Sequence, residues 1–104
     1  MRRLGLFILT AAAATAAQMT GYISDSACGW NNARPGKEAK ECAQKCVKLG
    51  GWPPVFVKDG QMEVLKISDK NAVMPYVGEH VSIVGTAKGD TLIVKTVRRT
   101  SKGR

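Results

Sequence analysis

Apolar and polar residues alternate along the stretch 18–24, where Met19, Gly21 and Ile23 fall on one side of the chain. A period of two residues is typical of a strand with one buried face. We therefore expect a first strand over 18–24. The following residues, 28–36, have no period and are rich in Asn, Gly and Pro, which indicates an irregular loop.

The pattern becomes helical after this loop. Between Lys37 and Leu49 the apolar residues recur at intervals of three and four, at Ala39, Cys42, Ala43, Cys46 and Val47. This spacing predicts an α-helix over 37–49 with one apolar face, on which Cys42 and Cys46 both point inward. Two glycines and two prolines after Leu49 end the helix.

An Asp-Gly pair predicts a hairpin in the middle of the chain. Residues 55–58 and 61–67 are rich in β-forming side chains and are separated only by Asp59 and Gly60. Asp-Gly is a strong signal for a two-residue turn between two strands. We therefore expect the second and third strands on either side of this pair.

A short helical turn is expected between this hairpin and the last two strands. Ser68 or Asp69 can cap the turn, which extends to Met74, and Pro75 should end it.

Two β-forming segments, 79–87 and 91–97, complete the chain on either side of the turn Lys88-Gly89-Asp90. Gly85 lies inside the first of them, where a glycine suggests a bulge or a sharp bend.

The order of these elements predicts a mainly β (α+β) fold. Five strands, with a cysteine-bearing insertion at 25–51 and a short helix between the third and fourth strands, match an OB-like Greek-key barrel. We expect a single domain over 18–97 and a basic disordered tail over 98–104.

The first seventeen residues have the features of a signal peptide. Two arginines precede an apolar run that is too short to span a bilayer, and small residues follow it up to Ala17. We expect cleavage after 1–17 and a periplasmic or secreted protein without a membrane anchor. Removal of 17 of the 104 residues leaves 87. A domain of this size often needs a disulfide or a metal to be stable.

The net charge of +8 belongs mainly to the chain ends. Residues 18–94 carry nine basic and eight acidic side chains, whereas residues 95–104 carry five basic ones. The predicted central strands offer only one aromatic side chain, Phe56, for stacking on bases. Nucleic acid is therefore not an expected partner; we expect a monomer that binds an envelope or extracellular ligand.

Three cysteines, Cys28, Cys42 and Cys46, carry the candidate chemistry. An exported protein meets an oxidising compartment, so a disulfide is expected first. Cys42 and Cys46 are poor partners for each other on an intact helix. We expect Cys28 to pair with either Cys42 or Cys46, which leaves one free thiol.

A metal site is the alternative. Three thiolates with Asp25, His80 or water would suit Zn²⁺ or Cu⁺. A redox-active or intermolecular cysteine is a third possibility.

The other candidate residues have ordinary structural interpretations. We expect Asp25 to cap backbone N–H groups in the following turn. His80 is expected at an exposed strand edge, and Trp30 and Trp52 are expected to cover the cysteines. No acid–base set can be assembled from the spacing, so we expect no catalytic residues and no enzyme activity.

Three motifs of the chain are similar to those of a known family. They are an Asp-x-x-Cys-Gly opening at Asp25, a Cys-x-x-x-Cys-Val helix from Cys42, and a Val-x-Val-x-Gly-like strand over 81–86. They resemble small exported bacterial proteins of unknown function that are common in acidobacteria. The resemblance covers residues 20–97 and implies no particular activity. Many members of that family have a histidine just after Cys-Gly, where this chain has Trp30.

Overall fold

The computed structural model describes residues 16–61 and 63–101 of the 104-residue chain. Its strands are β1 Ala17–Asp25, β2 Pro54–Lys58, β3 Val64–Ile67, β4 His80–Lys88 and β5 Thr91–Arg99. The α-helix of the described residues is α1, Lys37–Lys48, and three short 3₁₀ turns are Gly29–Asn32, Lys70–Ala72 and Met74–Tyr76. The predicted mainly β architecture, with five strands and one helix, is confirmed.

Each strand is hydrogen-bonded to two others. β1 is antiparallel to both β2 and β4, and β4 is antiparallel to β5. β2 pairs antiparallel with β3, and β3 runs parallel to β5. The strand order is therefore β1-β2-β3-β5-β4, and the ladder returns to β1.

The core lies on the inner face of this sheet, where alternate strand residues meet one side of α1. Burying each large apolar side chain stabilises the fold by roughly 1.5–3 kcal/mol. The core residues of the strands that have no or almost no solvent exposure are Ile23, Phe56, Leu65, Val81, Ile83 and Leu92. Gly21 lies beside them, and a Cβ at this position would stand 2.9 Å from Cζ of Phe56. A glycine is therefore required where Phe56 packs against β1.

The helix α1 is confirmed, but its buried face is not the predicted one. Ala39, Ala43 and Val47 are buried, whereas Cys42 is exposed and Cys46 is only half-buried. The prediction that both cysteines point inward is therefore wrong for Cys42. Two alanines spaced by four residues let the helix approach the sheet closely, and successive residues are rotated by about 100° around the helix axis. The cysteines consequently lie at the border of the buried face.

The hairpin between β2 and β3 turns at the predicted Asp59-Gly60 pair, but the connection between the two strands is longer than two residues. Val57 pairs with Val64, and the backbone N–H of Gln61 donates to the carbonyl of Lys58 at 3.2 Å. The predicted strand start at Gln61 is therefore wrong. Asp59 remains attached to β1, because its backbone N–H donates to the carbonyl of Thr20 at 2.9 Å.

The connection from β3 to β4 contains two 3₁₀ turns in place of the predicted short helix. The Asp69 side chain caps the first turn by accepting from the N–H of Asn71 at 3.2 Å. Pro75 lies inside the second turn and does not end it. The predicted irregularity at Gly85 is confirmed, because the register of β4 and β5 shifts between Val84 and Gly85.

Both predicted ends of the domain differ in part from the observed strands. Arg98 and Arg99 are not part of a disordered tail, since they belong to β5 and pair with β4. Residues 102–104 lie outside the described residues. So does the predicted signal peptide 1–17, apart from Ala16 and Ala17, and Ala17 begins β1. Within the described part of the chain, no helix is long and apolar enough to cross a bilayer.

Candidate functional site

Asp25, the last residue of β1, is a carboxylate without solvent exposure. One of its oxygens, Oδ2, accepts from the backbone N–H of Cys28 at 2.9 Å. The other, Oδ1, accepts from Nδ2 of Asn32 at 2.8 Å. Both donors flank or belong to the 3₁₀ turn Gly29–Asn32, so Asp25 fixes this turn against the end of β1. The predicted capping role of Asp25 is confirmed.

Asn32 was not identified from the sequence. It is buried, and its amide reaches back seven residues to Asp25. An Asn in a loop is more often a turn residue than the partner of a buried carboxylate. The neighbouring Ser24 adds a further tie to the turn, because its hydroxyl donates to the carbonyl of Gly29 at 2.7 Å.

The structure brings the three cysteines together beside this carboxylate. Cys28 lies near Cys42, and Cys46 lies near Asp25, but no two cysteines of the described residues are at disulfide distance. Cys42 and Cys46 are 4.4 Å apart and are not joined by a disulfide. All three cysteines are free thiols. Asp25, Cys28, Cys42 and Cys46 are called the cysteine cluster below.

Burial and neighbouring charge keep two of these thiols protonated. Burial, together with the negative charge of Asp25 and the proximity of Cys42, raises the pKa of Cys46 to about 11. Burial also raises the pKa of Cys28, again with contributions from Asp25 and Cys42. Because a thiolate is the reactive form of cysteine, Cys28 and Cys46 are weak nucleophiles at neutral pH.

The cluster has the donor atoms of a metal site but not its finished geometry. In the ranges 16–61 and 63–101, no group of three or more His, Cys, Asp or Glu side chains is already placed to hold a metal ion. Asp25 is occupied by Cys28 and Asn32. His80 does not complete the set, because its ring is bonded to Asp59 and Thr100.

A second group of polar side chains surrounds His80 on the outer face of the sheet. Nε2 of His80 is hydrogen-bonded to Oδ2 of Asp59 at 2.8 Å, and Nδ1 is hydrogen-bonded to the hydroxyl of Thr100. The same Asp59 oxygen accepts from the hydroxyl of Thr20 at 2.8 Å. His80 is only 5% exposed, so the prediction of an exposed edge histidine is wrong. The contacts with Thr100 and Tyr22 cover it.

Tyr22 packs edge-on against His80, with the ring centroids 4.9 Å apart. The Tyr22 residue is 5% exposed, and its buried hydroxyl has no hydrogen-bond partner among the described residues. Burial and then the charge of Asp59 raise the pKa of this phenol. Because buried hydroxyls are almost always paired, the lone hydroxyl marks a place where a partner group could bind.

Neither tryptophan covers the cysteine cluster as predicted. Trp30 and Trp52 remain 48% and 51% exposed. Trp30 lies in the turn held by Asp25, and the backbone N–H of Trp52 donates to the carbonyl of Cys46 at 3.1 Å, beyond the end of α1.

Comparisons of this chain with protein-family models, with curated proteins and with solved structures find no match.

Proposed function

We propose that this chain is an exported, non-enzymatic binding domain whose insertion is held to the sheet by a disulfide between Cys28 and Cys42. The observation that carries the proposal is that Cys28, in the loop after β1, and Cys42, on α1, are neighbours; their sulfurs are not at bonding distance in the structure, so the bond requires a small movement of the loop or of the exposed Cys42 side chain. A bond between them would close a loop of about 15 residues. In the chain-entropy model such a closure stabilises by about 3 kcal/mol.

Cys42 is a better partner for Cys28 than Cys46 is. Cys42 is exposed, so an oxidant or a disulfide exchange protein can reach its sulfur. Cys46 is half-buried against Asp25, and its pKa of about 11 leaves little thiolate to attack another sulfur. Cys46 is therefore the expected spare thiol.

The arrangement of the strands supports an OB-like barrel as the scaffold. The parallel pairing of β3 with β5 and the antiparallel pairing of β1 with both β2 and β4 are those expected of a five-stranded Greek-key barrel. Folds of this kind serve many functions, so the binding role is inferred from the sites and not from the fold.

A non-enzymatic role is supported by the state of the titratable groups. The thiols of Cys28 and Cys46 are held protonated, and both ring nitrogens of His80 are hydrogen-bonded to neighbouring side chains. Cys28 and Cys46 therefore carry little thiolate at neutral pH and are weak candidates for nucleophilic catalysis.

The thiol state tests the proposal. The protein is exported from a bacterium, purified without chelator, alkylated under denaturing conditions and weighed by mass spectrometry. A loss of two hydrogens with one alkylation, located on Cys46 by peptide mapping, is expected. Three alkylations without bound metal, or alkylation of Cys42 in place of Cys46, would overturn the proposed Cys28–Cys42 disulfide.

A second candidate function is the binding of a thiophilic cation such as Zn²⁺ or Cu⁺. It is favoured by the convergence of three sulfurs beside a buried carboxylate, a donor set that such ions accept. Binding would require the donors to move into a common coordination geometry and all three thiols to lose their protons. A metal adduct in the native mass spectrum, followed by three alkylations after denaturation, would establish metal binding in place of the Cys28–Cys42 disulfide.

A further inference from the structure

A pocket of about 250 Å³ opens on the outer face of the sheet, next to the turn that carries Trp30. Its walls include residues of β1, of the turn Gly29–Asn32, of β2 and of the β2–β3 connection: Tyr22, Trp30, Val57, Lys58, Asp59 and Gln61. Tyr22 and Val57 alternate with the core residues Ile23 and Phe56, so they face away from the core. The pocket is therefore separate from both the core and the cysteine cluster.

The pocket lining contains both apolar and polar side chains. Trp30 provides most of the exposed apolar surface, because about half of this residue is exposed whereas Val57 is almost fully buried. The polar side chains supply an ammonium from Lys58, a carboxylate from Asp59 and an amide from Gln61. These groups offer both hydrogen-bond donors and acceptors. The opposite charges of Lys58 and Asp59 favour a ligand without net charge.

The hydroxyl of Tyr22 is a second, independent indication of a ligand. Tyr22 lines the pocket, is 95% buried and has a hydroxyl without a partner among the described residues. The unpaired hydroxyl is unfavourable, and because its neighbours cover it, a bound polar group can pair with it only after a side chain of the pocket moves.

We propose that this pocket binds one sugar residue of a neutral carbohydrate. A pyranose ring has one apolar face of C–H groups, which can stack on Trp30, and a rim of hydroxyls that both donate and accept. Those hydroxyls match the mixed donors and acceptors of Lys58, Asp59 and Gln61. This inference gives a ligand class to the proposed binding function, and it rests on that function.

The cysteine cluster and the pocket are connected through the 3₁₀ turn Gly29–Asn32. Asp25 holds this turn at both ends, and Cys28 immediately precedes it. The position of Trp30 is thereby fixed before a ligand arrives, which reduces the ordering cost of binding. A disulfide at Cys28 would strengthen this effect.

The test is an NMR titration of the exported, ¹⁵N-labelled protein with glucose, galactose and N-acetylglucosamine. Glycine and inorganic phosphate serve as zwitterionic and anionic probes. We expect at least one sugar to shift the indole N–H of Trp30 and the amides of 58–61, with a Kd of about 1 mM. Failure of every sugar to shift these signals at about 20 mM, twentyfold above that Kd, would overturn the proposal.

Two tryptophans make a matched pair of variants. Trp30→Ala should weaken sugar binding by about tenfold or more, whereas Trp52→Ala should leave it unchanged, because Trp52 does not line the pocket. Tyr22→Phe keeps the ring and removes the hydroxyl, and it should weaken binding by about threefold or more. Equal effects of Trp30→Ala and Trp52→Ala would contradict the assigned site.

The outcomes separate this inference from the proposed function. If only glycine or phosphate shifts the signals of Trp30 and 58–61, the pocket is a binding site but the sugar class is wrong. The thiol state of the same sample is measured by mass. If the protein has the Cys28–Cys42 disulfide but binds none of the sugars, only the sugar proposal is overturned. If the protein binds a sugar but has three free thiols, only the proposed disulfide is overturned.

Discussion

Nδ2 of Asn32 donates a 2.8 Å hydrogen bond to Oδ1 of Asp25, a carboxylate that has no exposure to solvent. This contact joins the end of β1 to the turn that carries Trp30. The same carboxylate accepts from the N–H of Cys28, so one buried side chain organises the start of the insertion. A buried charge is tolerated when its oxygens are hydrogen-bonded in this way.

Replacement of Asp25 should therefore be costly. Asp25→Ala leaves the N–H of Cys28 and the amide of Asn32 without their acceptor, and each unsatisfied group costs about 1–3 kcal/mol. We expect the free energy of unfolding in urea to fall by about 2–4 kcal/mol. Asp69→Ala is the control, since Asp69 caps an exposed turn through a single 3.2 Å bond. A similar loss in both variants would contradict the organising role of Asp25.

A second prediction concerns the close approach of β1 and Phe56. A Cβ added at Gly21 would lie 2.1 Å from the carbonyl oxygen of Val57 and 2.9 Å from Cζ of Phe56. The backbone cannot move away without breaking the β1–β2 ladder, so Gly21→Ala should destabilise the fold by about 3 kcal/mol.

Gly89 provides the control for Gly21. A Cβ at Gly89 meets no atom within 4 Å, and its φ of 61° lies in the left-handed region. Gly89→Ala should therefore cost only about 1 kcal/mol, through backbone strain. Urea unfolding of both variants measures the difference, and a Gly21→Ala protein as stable as Gly89→Ala would refute the steric argument.

The sequence predicts those parts of the fold that depend on local pattern. Alternation along 18–24 and the three-and-four spacing of 37–49 identify β1 and α1, because each period reflects the geometry of a single element. The bulge at Gly85 was predicted on the same local basis.

The failures arise where distant residues decide the outcome. The third strand begins at Val64 and not directly after the Asp59-Gly60 turn, and the Asp59 side chain is bonded to Thr20 of β1 and to His80 of β4. The burial of His80 depends on Tyr22 and on Thr100, which follows β5. Nothing in the segment around His80 reveals either neighbour.

The sequence identifies the residues of the cysteine cluster but not how exposed each of them is. Asp25 and the three cysteines do lie together. The exposure of Cys42 was missed, because the helix packs on its alanines and not on its cysteines. The sequence does not predict the pocket beside Trp30, since it is formed by β1, the turn Gly29–Asn32, β2 and the β2–β3 connection.

The bond between His80 and Asp59 should contribute to stability. His80→Ala removes Nε2, the hydrogen-bond partner of the Asp59 carboxylate, and leaves a cavity beside Tyr22. We therefore expect the free energy of unfolding to fall by about 2 kcal/mol or more. Thr20→Ala removes only an exposed hydroxyl from the same oxygen and should cost less than about 1 kcal/mol. The measurement is thermal or urea unfolding at pH 7. A larger effect for Thr20→Ala would show that His80 is not the main partner of Asp59.

Cys46 should make the protein less stable in alkaline solution. Its pKa in the folded protein is raised to about 11 by burial, by Asp25 and by Cys42, whereas an unfolded cysteine has a pKa of about 8.5. The unfolded chain therefore loses its thiol proton first as the pH rises. The stability that results from this shift is complete below about pH 8.5 and is lost progressively as the pH rises to about 11.

The variant Cys46→Ala isolates this effect from other groups that titrate in the same range. Cys28 also has a raised pKa, but it carries no proton when it is oxidised. We therefore compare oxidised wild-type protein with oxidised Cys46→Ala by urea unfolding at intervals between pH 7 and about pH 11. The wild-type curve should fall more steeply above about pH 8.5. Parallel curves would show that the thiol of Cys46 has an ordinary pKa and that its burial beside Asp25 does not disfavour the thiolate.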